Sequence, residues 1–589
     1  MADVIIMPKL GFNMDEGKLV KWYKNEGDKI TKGEPLFSVE TDKTAIDIEA
    51  TRDGVLHKTL IEEGDAVQVT LPIAVVGDEG EDVAAVVADA TKQLKAGLGE
   101  EEAEEVAASP APAEEKVAKA EPAKAKSDGA KGFDFDVIVI GGGPGGYVAA
   151  IKAAQLGKKT ALIEKDTVGG VCLNRGCIPT KTFLRSAEAL KEVKGCSNFG
   201  IIDAETSNAK LDMKALQKRK KGIISQLVAG VEGLLRGNGV TKFQGEGVIK
   251  DKNTVVVGDK TITGEYLIIA TGSDIDSMNV PIDPAMKVFN SDDILELDYI
   301  PENMVVLGGG VIAIEFAYFL ASVGCKVTVI VRSRILRTAT DKEVGAQVAD
   351  HLRKMGIDVY EAAAVKEVTK DAVVFEKDGK LEEVKTANVL IATGRTPSLK
   401  GVPCDELGIK LDSKGAIVTD EHMRTSVDNI YAIGDVNGKA MLAHVASMEG
   451  IVAVENICGK NTVMEYDKIP SCIYIQPEIA SAGLTEDEAR EKYGEIKVGK
   501  FPMLANGKSK VAGDERGFIK VIAEAKYNEI VGVHLYCLHA TDMIAEAVLG
   551  MKLESTLDEA AMAIHPHPTV SEVFHEAFNA ALDKAIHFL

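Results

Sequence analysis

The sequence predicts an α/β protein: a large body built on two strand, glycine-turn and helix units, preceded by a small all-β module on a flexible linker. Three observations predict it. In the body, two apolar strands each run into a spaced glycine turn and a small-residue helix. The front carries an internal repeat, EGKLVKWYKNEGDKI and DGVLHKTLIEEGDAV, in which Gly17 recurs as Gly54 and Gly27 as Gly64, both 37 residues later. Between front and body, EEEAEEVAASPAPAEEKVAKAEPAKAKSDGAKG has no aromatic residue and too little apolar surface to order itself.

A chain of 589 residues is too long for one core, so several domains are expected. The net charge of -23 speaks against nucleic acid or an anionic membrane as partner, because both reward clustered Lys and Arg. The start, MADVIIMPKLG, lacks a basic region and a long apolar core, and nowhere is there an uncharged run of about 18 apolar residues. A cytoplasmic protein without a membrane partner is the expectation. Of the eight cysteines, Cys196, Cys325, Cys404, Cys458, Cys472 and Cys537 stand singly among apolar neighbours and read as inert. No metal site is expected.

The composition shifts divide the chain into a front module (1–77), a linker (78–132), a first nucleotide domain in two parts (133–275 and 398–467), a second nucleotide domain between them (276–397) and a C-terminal domain (468–589). The linker is about 55 residues, so as a flexible coil it spans on the order of 40 Å. Within the front module, ETDKTAIDIEA puts Asp42-Lys43 at a tight turn between β-rich segments. A lysine at a hairpin tip is ordinarily a solvated charge; the repeat on either side singles this one out. The module resembles the lipoyl domains of 2-oxo acid and acetoin dehydrogenase complexes, which implies lipoic acid in amide linkage on Lys43. Biotin carriers are the close rival, but their lysine stands between two methionines, and here Asp42 and Thr44 flank it.

The body opens on FDFDVIVIGGGPGGYVAA, an apolar strand entering Gly141-x-Gly143-x-x-Gly146 and a helix. Glycines permit the turn and close backbone approach, and a helix N-terminus accepts a pyrophosphate. The next strand, KKTALIE, ends in Glu164, placed to hold a ribose hydroxyl pair. A second such unit, MVVLGGGVIAIEFA, supplies Gly308-x-Gly310-x-x-Ala313, with its next strand at CKVTVIV. Two Rossmann-like nucleotide sites imply a flavin enzyme that exchanges electrons with a nicotinamide. LIIATGS (Thr271, Gly272) and VLIATGR (Thr393, Gly394) fit the closing edge of each domain, and IYAIGDV places Asp435 near a ribityl hydroxyl. In the second unit no acidic residue stands at Ile330 or Val331; Arg332, Arg334 and Arg337 follow instead, and guanidinium groups suit a 2′-phosphate. NADP is therefore expected to be accepted as well as NAD.

After the first unit's second strand comes GGVCLNRGCIPTK, with Cys172 and Cys177 followed by Lys181. On the opening turn of a helix that spacing brings two sulfurs within disulfide reach, and the helix N-terminus favours a thiolate. Half a metal site is the alternative, but no second pair of cysteines completes one. At the far end, AIHPHPTVSEVFHEAF offers His565, His567 and Glu572, and a histidine oriented by a carboxylate is a suitable acid/base near neutral pH.

Residues 133–589 resemble the dihydrolipoamide dehydrogenases, the E3 components of those complexes, through GGVCLNRGCIPTK, the paired nucleotide folds and the H-x-H-P-T-x-S-E terminus. The resemblance implies FAD and NAD(P) as cofactors and an α+β dimerisation domain at the C-terminus. Cys172 then exchanges with the dithiol substrate, Cys177 lies against the flavin, His567 is the acid/base and Glu572 its orienting carboxylate. Lys181 and Glu315 match a pair beside the flavin ring, counted to the FAD and NAD(P) sites respectively. Gly247 and Ala443 join the FAD contacts. The implied partners are a second copy whose histidine completes the site, dihydrolipoamide on lipoyl domains, and the acyltransferase (E2) core and E1 of a complex. Two positions depart from the family, Pro566 where Ala is usual and Ala313 where Gly is usual. Another flavin disulfide reductase, or a lipoyl-bearing scaffold with incidental redox activity, are the rival readings.

Overall fold

The computed structural model describes residues 3–8, 16–40, 45–50, 52–69, 71–78, scattered positions between 80 and 94, 132–202 and 208–588. The chain divides into two units, residues 1–121 and 122–589. In the front unit the repeat becomes two four-stranded antiparallel sheets. One holds Asp3–Ile6, Pro72–Gly77, Gly54–Thr59 and Lys29–Ile30; the other holds Ala45–Glu49, Pro35–Glu40, Glu16–Trp22 and Ala66–Gln68. The halves exchange hydrogen bonds reciprocally. The amide of Gly27 donates to the Leu56 carbonyl at 2.7 Å, and 37 residues on Gly64 donates to Leu19 at 2.8 Å. Both glycines need positive φ, +93° and +102°. Leu19 and Leu56 are fully buried in the shared core with Phe37, Val39 and Ile73. Strand Pro35–Glu40 pairs with Ala45–Glu49 so that Glu40 faces Ala45, and the connection between them carries Asp42-Lys43. Lys43 itself lies outside the described residues.

The second unit has the expected mixed α/β architecture. Its first sheet sets Thr241–Gln244, Thr160–Glu164, Phe135–Ile140 and Lys260–Ile269 side by side, with Ile430–Ala432 pairing parallel to the last. Strands Phe135–Ile140 and Thr160–Glu164 are buried at every residue, as a parallel sheet covered on both faces requires. The antiparallel pair Ser273–Ile275 and Arg395–Pro397 leads the chain out and back. Between them lies a five-stranded parallel sheet in the order Lys287–Phe289, Asn388–Ile391, Asn303–Leu307, Lys326–Ile330, Asp358–Tyr360. The C-terminal part is a five-stranded antiparallel sheet with helices Ala540–Lys552 and Glu572–Ala581 packed into one core. A buried lysine ties it to the second parallel sheet. Lys520, 3% exposed, reaches Asp341 at 3.0 Å, Glu343 at 2.9 Å and Glu486 at 3.0 Å.

The two glycine turns are copies of each other. Gly141 donates to the Ile163 carbonyl at 2.8 Å and Gly308 to that of Ile330 at 3.0 Å. Their φ values are +108° and +130°, and a Cβ would sit 2.2 Å from the Ala270 carbonyl oxygen in one and 2.3 Å from that of Ala392 in the other. They differ three residues after the middle glycine. A Cβ on Gly146 would lie 1.8 Å from the Gly141 oxygen, whereas the second turn takes the fully buried methyl of Ala313. Replacing Gly146→Ala should therefore destabilise the fold by about 2 kcal/mol or more, as overpacking does. Gly143→Ala, which meets open space, should change stability by roughly 0.5 kcal/mol or less. Thermal denaturation of the two variants checks the contrast.

Candidate active site

Cys172 and Cys177 do not share one helix. Cys172 sits in the short helix Gly170–Arg175, the chain breaks at Gly176, and Cys177 is the first residue of helix Cys177–Lys194. Glycine suits the break, since a Cβ on Gly176 would lie 2.9 Å from the Val171 carbonyl oxygen. No side chain caps the second helix, so its amide dipoles favour negative charge on Cys177. Both sulfurs are half-buried, present as thiols, and joined by a hydrogen bond. That bond splits them. With the Cys172 thiol hydrogen-bonded to it and the Lys181 charge nearby, Cys177 is held down at about 7 against the burial that would raise it. Cys172 is driven well above the ordinary thiol range, first by the same hydrogen bond and then by burial.

Lys181 follows Cys177 by one helical turn and so lies on the same face. Its Nζ donates to both carboxylate oxygens of Glu315, at 2.8 and 3.0 Å, and lies 4.6 Å from the centre of the Tyr474 ring. Glu315 is 2% exposed and also accepts from the Tyr474 amide at 2.9 Å. One carboxylate thus joins the cysteine helix, helix Val311–Ser322 and the start of the C-terminal sheet.

Both glycine turns fit a dinucleotide. Helices Pro144–Gln155 and Val311–Ser322 begin at Gly143 and Gly310 without a side-chain cap, and a Cβ on either glycine would meet nothing within 4 Å. That leaves uncapped first-turn amides for a pyrophosphate and room for it to approach. Glu164, 7% exposed, accepts from the Gly142 amide at 2.7 Å and the Asp166 amide at 2.7 Å, with lone pairs left for ribose hydroxyls. Asp435 accepts from Ser273 Oγ at 2.5 Å, and Arg395 donates to the same hydroxyl at 2.7 Å. Thr271 donates to the Ser398 carbonyl at 2.6 Å, while the Gly272 carbonyl accepts from Ser398. Gly247 is buried where a Cβ would touch Ile140 and Ile163 at 3.1 Å, and Ala443 opens helix Ala443–Ile457. In the second fold Gly394 is exposed with φ +158°. Arg332 is exposed as well, but Arg334 turns inward: one guanidinium nitrogen donates to the Arg337 carbonyl at 3.1 Å and another is buried without a partner.

His567 Nδ1 and Glu572 Oε1 are 2.7 Å apart, and the Thr569 amide donates to the same carboxylate at 2.8 Å. Burial would push Glu572 up, but the Thr569 amide and the His567 ring hold it below the usual carboxylate range. The His567 side chain is 78% exposed, and among the described residues no hydrogen bond or ion pair joins it to Cys172 or Cys177 of its own chain. His565 is committed elsewhere, to Glu546 at 2.8 Å.

Residues 135–450 match the pyridine nucleotide-disulphide oxidoreductase family model, and residues 469–578 match that family's dimerisation domain. Residues 3–76 match the model described as biotin-requiring enzyme. A dihydrolipoyl dehydrogenase of Bacillus subtilis is 40% identical over 476 residues, covering 77% of this chain and 99% of that one. The chain belongs to the dihydrolipoyl dehydrogenase family. A mitochondrial dihydrolipoyl dehydrogenase of Pisum sativum is 38% identical, covering 77% and 92%. Among solved structures, the HOCl-induced flavoprotein disulfide reductase RclA from Escherichia coli matches with a TM-score of 0.67 at 26% identity, covering 75% of this chain and 99% of that one.

As a member of the dihydrolipoyl dehydrogenase family the chain is an oxidoreductase working with FAD and a pyridine nucleotide. Sequence reasoning missed Tyr474, which donates to Glu315, Ser273, which donates to Asp435, and Arg395, which reaches Asp435 only through Ser273. Ser273 and Arg395 end the segments LIIATGS and VLIATGR, so their places were in view but not their contacts, and Tyr474 stands in no motif. The position of Lys181 has a measurable consequence: in Lys181→Met the Cys177 thiol should rise toward the ordinary value of about 8.5. The thiolate present at pH 7 should then fall below half, read as ultraviolet thiolate absorbance against pH.

Proposed function

We propose that the chain oxidises dihydrolipoamide to lipoamide as the E3 component of a 2-oxo acid or acetoin dehydrogenase complex. The observation that carries this reading is the asymmetry of the cysteine pair, joined at the start of the Cys177–Lys194 helix, with the Cys172 thiol pushed up and the Cys177 thiol drawn down to about 7 beside the Lys181–Glu315 pair. His567 takes a proton from a substrate thiol, and the thiolate attacks Sγ of Cys172, breaking the Cys172–Cys177 disulfide and releasing Cys177 as thiolate. The second substrate sulfur then displaces Cys172 and closes the lipoamide ring. Two electrons end on the cysteine pair, one proton on His567 and one on Cys172. FAD, when bound, carries the electron pair from the dithiol to NAD(P). Glu572 fixes the His567 tautomer and supports the imidazolium.

The exposure of His567 supports a site completed by a second copy, its ring serving the cysteines of the neighbouring subunit. In this reading 1–77 is a lipoyl carrier on Lys43, 78–132 its linker, 133–275 with 398–467 the FAD domain, 276–397 the NAD(P) domain and 468–589 the interface domain. E1 and the E2 core are its further partners. A cytoplasmic setting suits it, since its remaining thiols need a reducing compartment.

Cys177→Ser should lower dihydrolipoamide-dependent NAD(P) reduction at least about a thousandfold; unchanged turnover would leave only a scaffold. Cys172→Ser and His567→Gln chains should each be inactive, yet their co-expressed mixture should regain about a quarter of wild-type activity, since half the sites in each mixed dimer are intact. A mixture as dead as its parents places the histidine and cysteines on one chain. Intact-mass spectrometry of the chain purified from its host should show a lipoyl adduct lost on Lys43→Ala, and a biotinyl mass would overturn that assignment.

A further inference from the structure

The second nucleotide fold differs from the first at the seat that decides which ribose it takes. A Cβ on Gly142 would meet Glu164, at 3.2 Å from its Cβ and 2.9 Å from Oε2; a Cβ on Gly309 would meet Val331, at 3.1 Å from its Cβ and 2.5 Å from Cγ2. Val331 therefore occupies in the second fold the place that Glu164 holds in the first. The loops that follow return to the turn in the same way, the Gly169 amide donating to the Gly142 carbonyl at 2.8 Å and the Leu336 amide to the Gly309 carbonyl at 2.7 Å. A carboxylate in that seat accepts from a ribose hydroxyl pair and repels a phosphate on it. Valine does neither.

What surrounds Val331 is cationic. The segment from Val331 to Arg337 contains three arginines and no acidic residue. It is pinned at both ends: Ala363 donates to the Val331 carbonyl at 3.0 Å, Ala362 to that of Ser333 at 2.9 Å, and Glu361 accepts from the Ile335 amide at 3.0 Å. Leu336 is buried with φ +51°, a left-handed conformation that costs a bulky side chain about 1–3 kcal/mol and persists only where neighbours enforce it. Arg334 is the strut, its guanidinium turned against Gly345 and bonded to the carbonyl of Arg337. Arg332 and Arg337 are the two that stay exposed, and among the described residues no carboxylate lies within ion-pair distance of either. Glu361, just past the adjoining strand Asp358–Tyr360, is already engaged by Arg353 at 3.0 Å.

We propose that Val331, Arg332 and Arg337 make this fold select a nucleotide bearing a 2′-phosphate, so that NADP is preferred over NAD. The inference rests on the reading of the second turn as the pyridine nucleotide site and deepens it. Arg332 and Arg337 bind the phosphate dianion, Val331 removes the group that would reject it, and Arg334 positions the loop without touching the ligand.

Calorimetric titration of the FAD-loaded enzyme with adenosine 2′,5′-bisphosphate and with 5′-AMP tests it without any dithiol chemistry. The bisphosphate should bind at least ~10-fold more tightly, the scale of one charge-assisted contact. Arg332→Gln with Arg337→Gln should bring the two ligands to within about threefold of each other, by weakening the bisphosphate more than 5′-AMP. Val331→Glu should weaken the bisphosphate and strengthen 5′-AMP. Equal binding by the unmodified enzyme, or a preference that survives removal of both arginines, overturns the proposal. Steady-state oxidation of dihydrolipoamide with each nucleotide forms the second arm: turnover with neither, alongside bisphosphate preference, indicts the substrate and leaves the nucleotide assignment standing.

Discussion

Glu315 holds the body together at the point where the chemistry needs it. A carboxylate 2% exposed is expensive in a protein interior unless it is paired and fully hydrogen-bonded. Here it receives two bonds from Lys181 and one from the Tyr474 amide, so three segments separated by more than a hundred residues are obliged to meet. Removing one partner of such a pair costs about 3–5 kcal/mol, because the other charge is left buried and alone. The same geometry parks the Lys181 ammonium beside Cys177, where it favours the thiolate. Structural necessity and redox poise are therefore one interaction. A lysine free to swing into solvent would lose both.

The two nucleotide folds separate what the backbone demands from what the ligand demands. Gly141 and Gly308 carry the same burden, a positive φ and a carbonyl pressed against the missing Cβ, and neither position tolerates a side chain. Those constraints come from the turn itself. The seats of Glu164 and Val331 differ in the side chain they hold: one lies over Gly142, the other over Gly309, and both are buried. Divergence has room there: a carboxylate stands over one turn and a methyl group over the other.

Much of the site could be read along the chain because its parts are local. The five-residue spacing of the cysteines, the glycines of both turns, Glu164 at a strand end and the His567–Glu572 pair all depend on neighbours in sequence. What escaped reading depends on distant ones. Tyr474 reaches Glu315 from 159 residues away, and Ser273 reaches Asp435 from 162. Nothing near either residue announces the contact. Arg334 shows the converse limit: three arginines in six residues look alike in sequence, and only the crowding at Gly345 and the carbonyl of Arg337 show that one of them faces inward. The break at Gly176 was hidden as well, since the spacing of Cys172 and Cys177 suits a single helix; the chain instead runs two, joined where the Val171 carbonyl leaves room only for glycine.

The division between local and distant contacts also orders the chemistry. The acid/base pair is self-contained: His567, Thr569 and Glu572 lie within one turn and the helix start that follows it, and no long-range contact is required to bring ring and carboxylate to 2.7 Å. The thiolate is the opposite case, since its charge depends on Cys172, on an uncapped helix and on a lysine that a remote carboxylate holds in place. A base assembled locally can stand on an exposed surface and lose nothing. A thiolate assembled from distant parts must stay enclosed, because water would screen the charges that create it. The exposure of His567 and the half-burial of the cysteines fit that difference, and under the proposed function the proton passes between two such surfaces.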